Sequence, residues 1–231
     1  AIEAFYFSII GLVKMIDFFV VPSRFLQHQL SSMGVASDKF RHIPNYVDVD
    51  APSEVESDYF VYLGRLVREK GIMDLVEAVR DLDDARLEII GDGPLRADIE
   101  KCAKGQGHIH VNGYMRGEQL KDKLKRSRFI VLPSICYENA PLSLLETMRY
   151  GKPAIGSDIG GIPEMVIEGE TGHLFRPGDI GMLRNRIETL NFDIDKRKRL
   201  GMNARKLVLD EHTPEQHRKR ILSLYTESRE R

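Results

Sequence analysis

Short apolar runs alternate with amphipathic stretches from residue 59 onward, and few architectures accept that order. The runs at 59–63, 86–90, 108–111 and 128–132 are four or five residues long and rich in Val, Ile, Leu, Phe and Tyr. Such composition suits strands buried on both faces. Between them, 72–80, 94–104, 117–126 and 142–150 read as helices, with Pro94 expected in a first helical turn after Gly91-Asp92-Gly93. A strand at 153–157, a short helix at 162–166, an edge strand at 173–175 and a helix at 180–190 follow. The tail reads as two helices, 195–210 and 214–228, broken at Thr213-Pro214. Strand–helix alternation at this spacing predicts an α/β protein with a doubly wound, parallel, Rossmann-like sheet.

Residues 1–45 read as a separate unit of helix, strand 18–21, helix 23–33 and strand 40–43, with Ser23 as an N-cap. Residues 46–58 are acidic and aperiodic, the pattern of a linker. The apolar stretch 4–13 is about half the ~20 residues a membrane-spanning helix needs, and nothing marks it as a signal peptide. It reads as a buried helix whose packing partners lie outside this chain. The face at 4–19 is therefore expected to fold back or to mediate self-association.

At 231 residues, 42% hydrophobic and 30% charged, the chain is too apolar for disorder and too polar for a multi-span membrane protein. Cys102 and Cys136 are too few for a disulfide framework, so a cytoplasmic location is expected and both thiols read as buried small hydrophobes. Residues 196–231 carry a net charge of +6, against −7 for residues 1–195. Such a tail suits a solvated terminal helix, or else phosphates or a peripheral contact at the inner membrane face. Nucleic acid is not an expected partner.

Three clusters carry chemistry. Gly64-Arg65-Leu66-Val67-Arg68-Glu69-Lys70-Gly71 follows the first strand of the main unit. In doubly wound sheets, ligands bind at the carboxyl ends of strands. Gly64 permits close backbone approach, and Arg65 and Lys70 supply the cations that a departing diphosphate needs. Taken alone, the segment is equally an ordinary βα loop. Glu138 and Glu146 follow the fourth strand, eight residues apart, which is ~12 Å along a helix. That separation excludes a tight acid/base dyad and suits two ends of an elongated ligand. The free N–H groups around Asn139, Ala140, Pro141 and Leu142 lie at a helix start, a ready anion site. Alternatively, Glu146 pairs with Arg149 or Lys152 at the surface. Gly160-Gly161 permits close approach to a ligand or simply makes a turn.

In this order and spacing, Gly64-Arg65-Leu66-x4-Gly71, Pro133-Ser134-x3-Glu138-x7-Glu146, and Gly151-Lys152-Pro153-x-Ile155 with Gly160-Gly161-Ile162-Pro163-Glu164 resemble the retaining nucleotide-sugar glycosyltransferases of the GT-B fold, group 1 or family 4. Ile89-Ile90-Gly91-Asp92-Gly93-Pro94 and Ile43-Pro44-Asn45-Tyr46-Val47-Asp48 fit the same pattern, and the resemblance covers nearly all of 17–210. It implies a donor-binding C-terminal half at 59–210, a remnant of the N-terminal Rossmann domain at 1–45, a linker at 46–58 and a terminal helix at 211–231. Arg65 and Lys70 would bind the donor diphosphate without a metal or other cofactor, and Glu138 would hold the transferred sugar. Glu146 would take the ribose hydroxyls, the segment Asn139, Ala140, Pro141, Leu142 would contact sugar and phosphate, and Gly113 and Tyr114 would lie near the base. The implied reaction moves a hexose from a nucleoside diphosphate sugar to a saccharide or lipid-linked acceptor. Without the N-terminal domain the chain is expected to bind donor but not transfer it; the rival reading is a non-catalytic binding or interaction module.

Two motifs depart from that pattern: Tyr46 stands where many relatives have Gly, and Asn139-Ala140 where they have Gly-Phe. Other chemistries fit poorly. Position 96 is Arg where a dinucleotide fingerprint needs its third Gly, there is no P-loop, and His108 and His110 on one strand face have no third ligand in view.

Overall fold

The computed structural model describes residues 15–53 and 55–229. The apolar stretch 4–13, with its expected helix, lies outside them. The described chain opens with β1 (Phe19–Val21), α1 (Arg24–Ser32) and β2 (Phe40–His42), whose strands pair in parallel with Val21 opposite His42. Ser23 caps α1 as expected: its Oγ accepts from the Leu26 N–H at 3.1 Å.

The main unit runs β3 (Tyr59–Leu63), α2 (Ile72–Val79), β4 (Arg86–Ile90), α3 (Arg96–Ala103), β5 (Ile109–Gly113), α4 (Gly117–Arg126), β6 (Ile130–Leu132), α5 (Leu142–Met148), β7 (Ala154–Ser157) and β8 (Gly172–Phe175). The long helices α6 (Ile180–Phe192), α7 (Ile194–Glu211) and α8 (Pro214–Arg229) close the chain. Six parallel strands form one sheet in the order β5-β4-β3-β6-β7-β8. Winding runs outward one way from β3 to β5, then returns to the other side of β3. The switch point therefore lies between β3 and β6.

The apolar runs are continuous because the sheet is covered on both sides. Phe60 and Tyr62 point into a core with α2, α3 and α6, including Leu75, Ile99 and Ile187. Tyr59 and Val61 point the other way, into a core with α4, α5 and α7, including Leu124, Leu145 and Ala204. Each fully buried Leu or Ile contributes roughly 1.5–3 kcal/mol of transfer free energy.

Several expectations shift in detail. Pro94 precedes α3 rather than opening it, because the helix begins at Arg96 after a turn in which the Arg96 N–H donates to Gly93 O at 3.0 Å. The helix expected at 162–166 is a single 3-10 turn, Ile162–Glu164. β5 is only partly buried, being an edge strand, and His108 lies before it, packed with Nε2 2.8 Å from the Val79 carbonyl. Cys102 and Cys136 are half-buried rather than core residues.

The stretch expected as a linker is bound along its length to the main unit and the tail. The Val47 N–H donates to His212 O at 3.0 Å and Ser53 N–H to Tyr150 O at 3.2 Å, while Glu56 pairs with Arg197 at 2.7 Å. His212 Nδ1 donates to Asn45 O at 2.8 Å and His217 Nδ1 to Pro44 O at 2.9 Å. Tyr46 packs against the His217 ring, tilted by 44° at a centroid distance of 4.6 Å, which gives its side chain a structural partner where a glycine would leave none.

Candidate active site

The loops that leave β3 and β6 at their carboxyl ends meet across the switch point, where open α/β sheets bind ligands. Gly71, in the left-handed region at φ +63°, lets the first loop press on the second: a Cβ there would stand 1.9 Å from Pro133 O. The Ile135 N–H donates to Glu69 O at 2.9 Å and joins the two loops again.

Across this seam the Lys70 ammonium pairs with Glu138 Oε1 at 2.5 Å. Ser134 Oγ donates to the same carboxylate oxygen, also at 2.5 Å. Both members of the ion pair are largely buried. Arg65, in contrast, is exposed, and its guanidinium makes no ion pair among the described residues; its carbonyl accepts from Tyr62 OH at 2.7 Å, which fixes the loop backbone. Gly64 is held by its N–H to Ile90 O at 3.1 Å.

Glu146 lies half-buried on α5. Burial pushes its carboxyl above the ordinary carboxylate range, with Arg149 only partly offsetting it. The alternative of a surface ion pair fails. Arg149 donates to Asp48 O at 2.9 Å and to Tyr150 OH, Lys152 donates to Val55 O at 3.3 Å, and Glu146 has no hydrogen-bond partner among the described residues. A desolvated carboxylate with free lone pairs is an acceptor awaiting donors.

Gly160 and Gly161 serve the protein rather than a ligand. A Cβ on Gly161 would lie 1.8 Å from Asn139 O, and one on Gly160 2.5 Å from Glu138 O. The Gly161 N–H donates to Glu138 O at 2.7 Å. The pair lets the turn pack flush beneath the Glu138 loop. From the first unit, Ser23 Oγ donates to Asn139 Oδ1, and Asn45 Nδ2 donates to Ala140 O at 3.0 Å. Glu164 accepts the Arg24 and Phe25 N–H groups at 2.8 and 2.7 Å. Pro141 takes the N-cap position of α5, so the amide of Leu142 opens its first turn.

Lys70, Ser134 and Glu138 are thus in contact, and Asn139 and Ala140 continue the same loop. Arg65 shares the loop of Lys70 and Glu146 lies on α5, and among the described residues neither makes a hydrogen bond or ion pair with the other three. Gly113 closes β5 with φ +73°, its carbonyl accepting from the Gly91 N–H at 2.8 Å, and Tyr114 beyond it is 73% exposed. Two strand spacings, about 10 Å, separate β5 from β3. Sequence reasoning does not single out Ser134, Ser23 or Asn45 as residues of the site; Ser134 and Asn45 lie inside motifs of the family pattern, whereas Ser23 reads only as a helix cap. Concavities of about 830 and 640 Å³ lie at the amino ends of the strands, and a smaller one of about 450 Å³ lies beside the site, lined by Ser23, Asn45, Asn139 and Ala140. No group of three or more metal-ligating side chains occurs among the described residues, and no described helix is long and apolar enough to cross a membrane.

The model of the "Glycosyl transferases group 1" family matches residues 49–207. The chain is 32% identical over 188 residues to the sulfoquinovosyl transferase of Arabidopsis thaliana, covering 78% of this chain and 36% of that protein. With the alpha-D-kanosaminyltransferase of Streptomyces kanamyceticus it shares 30% over 151 residues, 62% of this chain and 39% of the relative. The chain thus spans little more than a third of the length of these relatives. In fold it is similar to HepE of Anabaena, solved with UDP and glucose: the TM-score is 0.82 at 18% identity, over 91% of this chain and 63% of that one. With its Rossmann-like sheet, its terminal helices and a family match over most of its length, the chain belongs to the group 1 glycosyltransferases and has the fold of the C-terminal half of a GT-B enzyme.

Proposed function

We propose that this chain binds a nucleoside diphosphate sugar and supplies the donor side of a retaining transfer of a hexose to a saccharide or lipid-linked acceptor. The observation that carries the reading is the Lys70–Glu138 pair across the β3/β6 switch point, flanked by Arg65 without an ion pair and Glu146 without a hydrogen-bond partner among the described residues. Arg65 and Lys70 take the diphosphate. As the anomeric C–O bond breaks, its electron pair remains on the leaving diphosphate oxygen, and the two cations stabilise that charge in place of a metal. Glu138, with its orientation fixed by Lys70 and Ser134, receives hydroxyls of the sugar. Glu146 accepts the ribose hydroxyls, and Tyr114 lies toward the base. Positioning and leaving-group stabilisation carry the reaction, and no general acid is required of the protein.

Two further facts support this reading. HepE, similar in fold, was solved with UDP and glucose. The relatives are named for moving sugars, and this chain spans little more than a third of their length. Binding of donor without transfer is accordingly the activity assigned to the chain by itself.

Calorimetric titration with UDP, GDP and ADP in EDTA, repeated on Arg65→Ala and Glu146→Ala, tests it. Binding of one nucleotide, lost in both variants, is the expected result. A folded protein that binds none of the three, or binds only when a divalent metal is restored, overturns the reading as stated.

A further inference from the structure

Lys152 belongs to the Gly151-Lys152-Pro153 segment just before β7, at the end of the sheet opposite the switch-point loops. The donor reading makes no use of it. Its side chain is only 3% exposed, yet among the described residues its ammonium makes one hydrogen bond, to Val55 O at 3.3 Å. An ammonium has three donors, and a buried charge so thinly partnered is costly. Burial draws its pKa below the usual lysine range; Glu56 opposes the effect and the nearby Arg197 adds to it.

Arg197 shows what a purely structural cation looks like in the same place. All three of its nitrogens are engaged, with Glu56 at 2.7 Å and the carbonyls of Leu190 and Asn191 at 2.6 and 3.2 Å. Lys152 lines a cavity of about 830 Å³ together with Pro52, Ser53, Glu56, Tyr150, Arg197 and the amino-terminal part of α7. Lys198 and Arg205 line it too. Arg205 is pinned by the carbonyls of Arg149 and Asp50, and Lys198 is exposed. Among the described residues, the only carboxylate in the lining is Glu56, already neutralised by Arg197. Among the described residues Lys152, Lys198 and Arg205 form no ion pair, although Asp50 acts on Arg205 from nearby, and the set suits an anion of two or more charges. Ile194 and Met202, 52% and 66% exposed, add apolar surface to the lining.

We propose that this cavity is a second anion site, in which Lys152, Lys198 and Arg205 bind a phosphate group carried on an organic molecule. The apolar lining beside the cations favours a phosphate ester over the bare ion. The ester is either soluble or the headgroup of a lipid, and the recognition chemistry is the same. This site does not depend on the donor reading, because it shares none of the residues assigned to the donor.

The test is an amide-shift titration of the full chain by NMR with glycerol 3-phosphate, run beside co-sedimentation with phosphatidylcholine vesicles with and without phosphatidylglycerol. Saturable shifts at Gly151, Lys152 and Met202 are expected, weakened about tenfold in Lys198→Ala, as loss of one charge-assisted contact implies. Lys198 is exposed, so this variant remains informative if Lys152→Met fails to fold. Sedimentation with the anionic vesicles alone, reduced by Lys198→Ala, assigns the phosphate to a lipid; shifts without sedimentation assign it to a soluble ester. Shifts confined to the 64–71 loop, shifts undiminished in Lys198→Ala, or no saturable shift together with no sedimentation overturn the site.

Discussion

Lys70 Nζ and Glu138 Oε1 meet at 2.5 Å although 68 residues separate them in the chain. The contact orders a long, flexible lysine side chain during folding. Fixing such a chain costs up to about 2 kcal/mol of rotamer entropy, and here that cost does not fall on ligand binding. Lys70→Ala is therefore expected to weaken nucleotide binding about tenfold or more, because it removes both a charge and its preorganisation. Calorimetry on the folded variant decides, and a change below about twofold sinks the role given to Lys70.

Glu146 is poised between stability and binding. A carboxyl whose folded pKa lies above its unfolded value opposes folding while ionised, and that cost is relieved as pH falls through the folded pKa. Glu146→Gln should therefore raise Tm at pH 7 while weakening nucleotide binding about tenfold. In the unsubstituted protein, protonation removes the acceptor, so affinity should begin to fall at a pH above the ordinary 4.5. If the affinity of the Glu146→Gln variant follows the same pH curve, the titration belongs to another group.

Gly161→Ala probes the support beneath the Glu138 loop. Its Cβ would overlap Asn139 O at 1.8 Å, a backbone atom that cannot swing away. A loss of about 1–3 kcal/mol is expected in urea denaturation, with weaker donor binding. Gly169→Ala is the control: its φ is left-handed, +73°, but nothing lies within 4 Å of its Cβ, so only backbone strain of about 1 kcal/mol applies. Equal losses in the two variants would mean that the packing beneath the loop is immaterial.

Glu88 should set part of the acid sensitivity. It is 1% exposed on β4 and receives Arg86 at 2.8 Å, Lys123 at 2.7 Å and Asn112 at 2.8 Å. Burial pushes its carboxyl up, but the bonds from Lys123 and Asn112 and the charges of Lys123 and Arg86 outweigh it, so the net pKa is lowered. The stability this confers is present above the unfolded value, near 4.5, and is lost as pH falls through the lower folded value. Glu88→Gln is expected to cost about 2 kcal/mol at pH 7 and to flatten the decline below pH 4.5. Urea denaturation at pH 7 and pH 3.5 measures both, and a variant as acid-sensitive as the parent contradicts the assignment.

The sheet is legible in the sequence because its information is local: runs such as 59–63 are apolar on both faces, and the amphipathic stretches between them declare their helices. The motif order likewise leads to the loops after β3 and β6. Contacts between distant segments are not legible. Nothing near Ser23 announces Asn139, 116 residues away, and the demand for glycine at 161 comes from a carbonyl in another loop. Glu88 is hidden for a similar reason, since the Lys123 charge and the Asn112 hydrogen bond arrive from α4 and β5. Pro94 falls outside its expected helix because a turn and a first helical turn ask for the same residue.

The backbone passes between the two sheets along residues 43–47, and the α7–α8 junction at 212–217 grips that passage at Pro44, Asn45 and Val47. At the far end of α8, Arg41 on β2 pairs with Glu227. The small sheet is thus tied down at both ends of α8, at its start through His217 and at its far end through Glu227. Through the Ser23–Asn139 contact the same small sheet bears on the loop that carries Glu138, so a substitution in α8 can be felt at the switch point without touching it.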